Sequence, residues 1–408
     1  MKVLRKAIRM LLVPALCLLA GIAWAGTASV AAGSTGGASP GDSHARWMTR
    51  AKVIGIIAAN QKIVSPNGIQ EQVKLHIDGI DQWLSIRGRD LRNPVLLLLH
   101  GGPASPDMPL AWTFQSPWED YFTVVEWDQR GAGKTYASNT EAQMAPGMTI
   151  DGMTKDAGQV VEYLRKRFHK RKIFLMGHSW GSVLGVELAQ RHPDWLYAYI
   201  SVGQLVNTRR NEADGYAFAL HQAKAHHNVE AIRQLESIAP YPGTRGLTLD
   251  RIGIRDKWES HYGGLAWGRT DFQFAADAWH LSPEYSESDI KAIDKGSLFS
   301  LKHLLQPLLA VDFYHTTHFK CPVVVFAGAH DYTTSHNLAA QWFDKIQAPS
   351  KRLVIFADSA HMIMLEQPGR FLVHLVTDVL PYAQRVGDAA PPEQTQGLGG
   401  FAEQGALP

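Results

Sequence analysis

The chain has 408 residues, 45% hydrophobic and 19% charged. That composition supports a full core in one large domain with an insertion, and excludes a disordered or fibrous chain. Its formal net charge is +2, but removing Lys2, Arg5, Lys6 and Arg9 leaves 36 basic against 38 acidic residues, a balance of −2; a polybasic attraction to nucleic acid or an anionic membrane is thereby excluded.

Those four basic residues precede the apolar run Met10 to Ala23, which closes on Ala23-Trp24-Ala25. A basic start, a short apolar stretch and a small-x-small end read as a cleavable secretory signal peptide over 1–25. The run is shorter than the roughly 20 residues a membrane span needs, and Pro14 interrupts it. The expectation is a periplasmic or secreted protein with no stable membrane association after cleavage. Cys17 leaves with the signal, so Cys321 stands alone and reads as a small buried residue. Residues 26–46 are rich in Gly, Ala, Ser and Thr and read as a flexible linker. Folded sequence is expected from about Arg46-Trp47.

Glu71 to His76 and Gln82 to Arg87 alternate in polarity around Asp78-Gly79, which predicts a β-hairpin. Continuous apolar runs follow at Val95 to Leu99 and Phe122 to Trp127, then at Ile173 to Met176 and Tyr197 to Val202. Val323 to Ala327 and Arg352 to Phe356 are two more. Such runs suit strands buried on both faces. A helix is expected over Thr149 to Arg167 and a closing one over Pro368 to Gln384. Strands alternating with helices predict a mostly parallel, doubly wound α/β sheet. The rhythm breaks over 204–315, where helical stretches such as Ala217 to Ala225 and Val229 to Ile238 accompany Trp258, Tyr262, Trp267, Phe272, Phe274 and Trp279. This is too long for a loop and reads as an inserted helical cap over the ligand crevice. The cap aromatics either line an apolar pocket or form the cap's own core. The sheet domain is then 47–203 with 316–385, and 386–408, with Pro391, Pro392 and several glycines, reads as a disordered tail.

Chemistry concentrates at Gly177-His178-Ser179-Trp180-Gly181-Ser182, between the apolar run Ile173 to Met176 and the helical run Val183 to Ala189. Strand, tight turn and helix with G-x-S-x-G is a nucleophile elbow. Alone it recurs by chance on the order of 0.1 times in such a chain, so its surroundings must support it. A serine nucleophile needs a base, a residue to orient that base, and oxyanion donors. In this architecture the acid and the histidine follow the serine in chain order. Asp331 lies just past the run Val323 to Ala327 and His361 just past Arg352 to Phe356. Asp358 competes with Asp331, but it sits three residues before the histidine in the same loop and is poorly placed to reach it. His100 and His178 read as supports and His330 as a loop residue. The oxyanion donors expected are the N–H groups of Trp180 and Gly102, with Gly101 the alternative. Gly131-Ala132-Gly133-Lys134-Thr135 mimics the end of a phosphate loop, but Asp128 stands where that loop needs glycine. No spacing of Cys or His suggests a metal site.

His100-Gly101-Gly102-Pro103, Trp127-Asp128-Gln129-Arg130-Gly131-Ala132-Gly133 and the elbow together resemble the proline iminopeptidase (prolyl aminopeptidase) family of α/β-hydrolases. The likeness spans Glu71 to Val202 and Cys321 to Tyr382. It implies an α/β-hydrolase fold with a helical cap, a catalytic triad of Ser179, Asp331 and His361, no cofactor, and release of N-terminal proline. Ala104 and His178 depart from the family's usual glycines. Family members hold the substrate's amino group with cap glutamates. Glu259-Ser260-His261-Tyr262 resembles one such segment, the Trp-x-x-Trp-Glu segment has no match, and Glu212 and Glu259 are the candidates. Solvated helix carboxylates are the plainer reading of both. The substrate expected is a small peptide; a carboxylic ester or lactone is the alternative, and a non-catalytic binding protein on the same fold is the remote one. Nothing in the sequence sets the oligomeric state.

Overall fold

The computed structural model describes residues 49–243 and 247–391. The expected signal peptide, the linker and most of the expected tail lie outside these residues. Helix α1 (Arg50–Asn60) comes first, with the Thr49 side chain accepting from the Lys52 N–H. The apolar runs alone do not predict this helix; Thr49 as its cap is the signal that does.

Strands β1 (Ile69–Ile77) and β2 (Ile80–Gly88) pair antiparallel. Asp78 and Gly79 both take positive φ, the geometry of a two-residue hairpin turn that matches strand twist. β3 (Val95–Leu99), β4 (Thr123–Asp128), β5 (Ile173–His178), β6 (Leu196–Val202), β7 (Val323–Gly328) and β8 (Lys351–Phe356) complete one sheet in the order β1-β2-β4-β3-β5-β6-β7-β8. β4 meets β2 antiparallel, and every pairing from β4 to β8 is parallel. β3 to β7 are buried throughout, as the continuous apolar runs require, whereas β8 at the sheet edge is partly exposed. Helices α2 (Gly133–Ser138), α3 (Ile150–Arg167) and α4 (Trp180–Arg191) follow β4 and β5. Thr149 caps α3.

Between β6 and β7 run α5 (Thr208–Ala225), α6 (Val229–Ser237), α7 (Leu249–His261), α8 (Gln273–Trp279) and α9 (Glu287–Leu309). The insertion leaves and returns through one neck: the Phe313 N–H donates to the Val206 carbonyl at 2.7 Å, and the Thr208 hydroxyl to the Leu308 carbonyl at 2.6 Å. Its aromatics divide. Trp258 belongs to an apolar cluster within the insertion, but Phe272 and Trp279 pack with Phe114, Trp118 and Phe371 against the sheet. Trp267 is exposed. α9 is shared: Phe299, Leu304 and Leu308 join the main core, while Ile290 and Ile293 join the cluster on the sheet's other face.

α10 (His336–Lys345) and α11 (Pro368–His374) close the domain. The single closing helix expected over Pro368 to Gln384 is interrupted by a wide turn over Leu375–Val379, where the Leu380 N–H reaches the Leu375 carbonyl at 2.9 Å. Pro381 then starts a new turn, having no N–H to continue the ladder. Residues 386–391, read as the start of a tail, remain in contact with the sheet domain: Asp388 accepts from the Tyr197 hydroxyl at 2.7 Å and pairs with Lys170. Cys321 is buried and unpaired, with its thiol pushed up to about 11 by burial. Among the described residues no helix is long and apolar enough to cross a membrane.

Candidate active site

The topology gathers the sequence candidates at the carboxyl ends of neighbouring strands. Ser179 stands between β5 and α4, capping the helix with φ 53° and ψ −119°. A non-glycine residue there is strained. The surroundings that hold it are tight: the Ser179 N–H donates to the Val202 carbonyl at 3.0 Å, and its carbonyl accepts from the Ser182 N–H at 2.9 Å and hydroxyl at 2.6 Å. A Cβ on Gly177 would come 2.5 Å from the Gly181 carbonyl oxygen, and one on Gly181 would overlap the Leu99 carbonyl oxygen. Glycine at both places lets β5 and α4 pass this close to β3.

β3 pairs directly with β5, so the loop after β3 lies beside the elbow. There Gly102 has φ +112°, and a Cβ would sit 2.6 Å from the Ser105 nitrogen. A small cavity of about 20 Å3 is lined by Gly102, Ser179 and Trp180 on the sheet side and by Asn211, Glu212 and Arg255 from the insertion. It holds little more than one water-sized group. Trp180 is the first residue of α4, where an N–H has no intrahelical acceptor.

Asp331 follows β7 and His361 follows β8. Their side chains meet, His361 Nδ1 lying 2.9 Å from Asp331 Oδ2 in full burial. Asp331 Oδ1 accepts the Thr334 N–H at 2.8 Å, and Oδ2 the Thr334 hydroxyl at 2.9 Å. Asp358 is exposed. His361 Nε2 has no hydrogen-bond partner among the described residues. Burial pulls the His361 imidazole down, but Asp331, with Glu259 and Glu366, outweighs it and holds the group above its usual range.

His178 and His100 act as struts. Burial drives His178 down to about 3 and His100 to about 4, so both rings are neutral near pH 7. His100 Nε2 accepts the Gln129 N–H at 3.2 Å, which leaves Nδ1 to donate to the Gly101 carbonyl at 2.9 Å. His178 Nε2 lies 3.2 Å from the His361 carbonyl. The phosphate-loop mimic is closed by its own acid: Asp128 accepts the Lys134 N–H at 2.7 Å and the Tyr285 hydroxyl.

Glu212 and Glu259 are not solvated. Both are buried around Arg255, whose guanidinium meets Glu212 at 2.7 Å, Asp256 at 3.0 Å and Glu259 at 3.1 Å. Tyr241 donates to Glu212, and the Thr333 hydroxyl donates to Glu259 at 2.8 Å. Burial, opposed by Arg255, lifts Glu259 to about 7.

Three residues at the site escaped the sequence reading. Thr334 was detectable as the Asp-x-x-Thr turn that begins at Asp331. Arg255 was detectable only as the i,i+4 partner of Glu259; its pairing with Glu212, on another helix, was not. Nor was Glu366, whose carboxylate accepts the Ala360 N–H at 3.1 Å and the Trp267 N–H at 2.5 Å. It ties the His361 loop to the insertion, and the His361 N–H in turn donates to the Leu265 carbonyl at 3.0 Å. Among the described residues no group of His, Cys, Asp and Glu is arranged to hold a metal ion.

A central parallel sheet, an elbow after β5 and a helical insertion after β6 define an α/β-hydrolase, and the chain belongs to that family: the alpha/beta hydrolase fold matches residues 94–368. Relatives similar to it carry the names aminopeptidase and proline iminopeptidase. The chain is 31% identical over 301 residues to the probable aminopeptidase YbaC of Bacillus subtilis, covering 73% of this chain and 92% of the relative. It is 32% identical over 129 residues to the proline iminopeptidase of Arabidopsis thaliana, covering 32% of this chain and 31% of that one. The solved proline iminopeptidase of Mycobacterium smegmatis superposes with a TM-score of 0.59 at 18% identity, covering 78% of this chain and all of that one, and shares the fold. The protein is thus a hydrolase of the α/β class with aminopeptidase and proline iminopeptidase relatives.

Proposed function

We propose that the protein is an exported serine hydrolase that releases a small N-terminal residue, proline foremost, from short peptides through an acyl-enzyme. One observation carries the reading: a single cavity has Ser179, Trp180 and Gly102 on one side and Glu212 on the other. In this mechanism the Ser179 hydroxyl attacks the carbonyl carbon of the first residue. His361 Nε2 takes the hydroxyl proton and delivers it to the departing amine. Asp331 holds the Nδ1–H tautomer and stabilises the imidazolium. The Trp180 and Gly102 N–H groups receive the oxyanion. Water then attacks the acyl-enzyme by the same route in reverse. The free amino group of the substrate is placed against Glu212 and Glu259. Glu259, with its carboxyl lifted by burial, ionises when that second cation arrives. Residues 1–25 direct export, and a mature protein that retains Met1 in mass spectrometry would reject that part.

A second reading has its own observation. Arg255 already pairs with both Glu212 and Glu259, so a substrate without an amine, a carboxylic ester or lactone, leaves neither carboxylate without a cation beside it. Hydrolysis of a prolyl arylamide compared with that of a short acyl ester separates the two. The expected result is arylamide turnover well above buffer; turnover of the ester alone would establish the second reading. Ser179→Ala is expected to lower kcat by roughly 10⁴ to 10⁶ and abolish fluorophosphonate labelling. Full labelling of that variant would remove Ser179 from the mechanism.

A further inference from the structure

Outside the cavity at Ser179, the insertion carries a groove of about 570 Å3 lined by Gln222, His226, His261, Tyr262, Trp267 and Arg269 with neighbouring small residues. Its volume is that of a ligand site. Its chemistry is one-sided. No carboxylate lines it. Arg269 supplies a permanent positive charge and lies 4.0 Å from the centre of the Phe274 ring, which fixes the guanidinium in place. The nearest acid in sequence, Asp271, is engaged in accepting the Gln273 N–H at 3.0 Å. Two aromatic side chains line the groove. Tyr262 stacks on His226, and the exposed Trp267 stacks at 3.4 Å on His330, the neighbour of Asp331.

The groove is joined to the catalytic loops by backbone. Gly264 accepts the Tyr332 N–H at 3.2 Å and Leu265 the His361 N–H at 3.0 Å. It is also within reach of the reacting bond. α5 contributes Glu212 to the cavity at Ser179 and, further along, Gln222 and His226 to the groove. Ten helical residues span about 15 Å. An extended peptide rises about 3.3 Å per residue, so some four to five residues bridge that gap.

We propose that this groove is the subsite for the carboxyl-terminal end of a short peptide substrate, Arg269 receiving the terminal carboxylate and Trp267 a flat side chain. The proposal rests on the aminopeptidase reading. The bond broken is still the first peptide bond, and the groove holds the part of the chain that departs as the free amine.

The test uses the full-length enzyme and three substrates: a prolyl arylamide, the pentapeptide Pro-Gly-Gly-Gly-Phe with a free carboxylate, and the same peptide amidated. Arg269→Glu is expected to raise KM for the free-acid pentapeptide about tenfold, to raise it far less for the amide, and to leave arylamide kinetics unchanged. Trp267→Ala is expected to raise KM for both pentapeptides. Arylamide turnover by R269E at the wild-type rate, with pentapeptide KM also within about twofold, would overturn the subsite alone. A wild-type enzyme that cleaves an ester but no prolyl arylamide would overturn the aminopeptidase reading and the subsite together.

Discussion

His361 sits between opposing influences, and the balance is measurable. Burial favours the neutral ring, while Asp331 at 2.9 Å favours the charged one and prevails. As the proposed base, His361 must be neutral to accept a proton, so activity should rise with pH through a midpoint above the usual histidine value of about 6.5. Fluorophosphonate labelling rates across pH report that midpoint without depending on substrate charge. In Asp331→Asn the largest influence opposing burial is lost, leaving only Glu259 and Glu366, and the midpoint should fall below the wild-type value. Glu366 acts one step further out. It has no place against substrate but fixes the Ala360 N–H and the Trp267 N–H together. Glu366→Gln should lower kcat about tenfold, since one charge-assisted hydrogen bond is weakened. It should leave arylamide KM within about twofold and lower the labelling midpoint, because the Glu366 charge also favours imidazolium. An unchanged midpoint would confine Glu366 to a structural role.

At the scale of elements, the candidate site is a set of strand ends, and this is why the placement of its residues was legible. Buried parallel strands are continuous apolar runs, and whatever follows each run falls at the same edge of the sheet. Ser179, Asp331 and His361 are each placed by that rule. Helix-to-helix partnerships obey no such rule. Arg255 meets Glu212 only because α5 and α7 cross; its spacing to Glu259 was readable, but not that both carboxylates are buried. The interruption at Leu375–Val379 was hidden for a related reason: an apolar periodic stretch does not reveal its hydrogen-bond register. The elbow's packing gives a sharp contrast between two glycines. Gly181→Ala places a methyl into the Leu99 carbonyl and 2.8 Å from that of His100. β3 and its loop must shift, at a cost of about 1–3 kcal/mol, and kcat should fall because Gly102 moves with them. Gly369→Ala in α11 meets nothing within 4 Å and should stabilise by about 0.5–1 kcal/mol. Chemical denaturation of the two variants checks both signs.

Across the whole molecule, buried carboxyls set the pH dependence of stability. Asp107, Asp128 and Glu259 are each raised to about 7, in every case by burial first. In the unfolded chain they titrate near 4. A raised carboxyl contributes stability that is fully present below its unfolded value and is lost as pH climbs through its folded one. Thermal unfolding should therefore occur at a higher temperature at pH 5 than at pH 8. Buried His100 and His178, held neutral, pull the other way below about pH 6.5, and the reverse order would mean that they outweigh the carboxyls.

The long helix α9 has a bearing on how the protein comes apart. Ile290 and Ile293 belong to the apolar cluster on one sheet face, Phe299, Leu304 and Leu308 to that on the other, and Leu309 to the insertion's own. A rod embedded in three interiors makes their melting mutually dependent, since none can dissolve without stripping α9 from the other two. Calorimetry should accordingly give one transition with equal calorimetric and van't Hoff enthalpies. Residues 204–315 expressed alone should fail to reach a fixed tertiary state. The insertion is a lobe in outline and an inseparable part of the domain in its energetics.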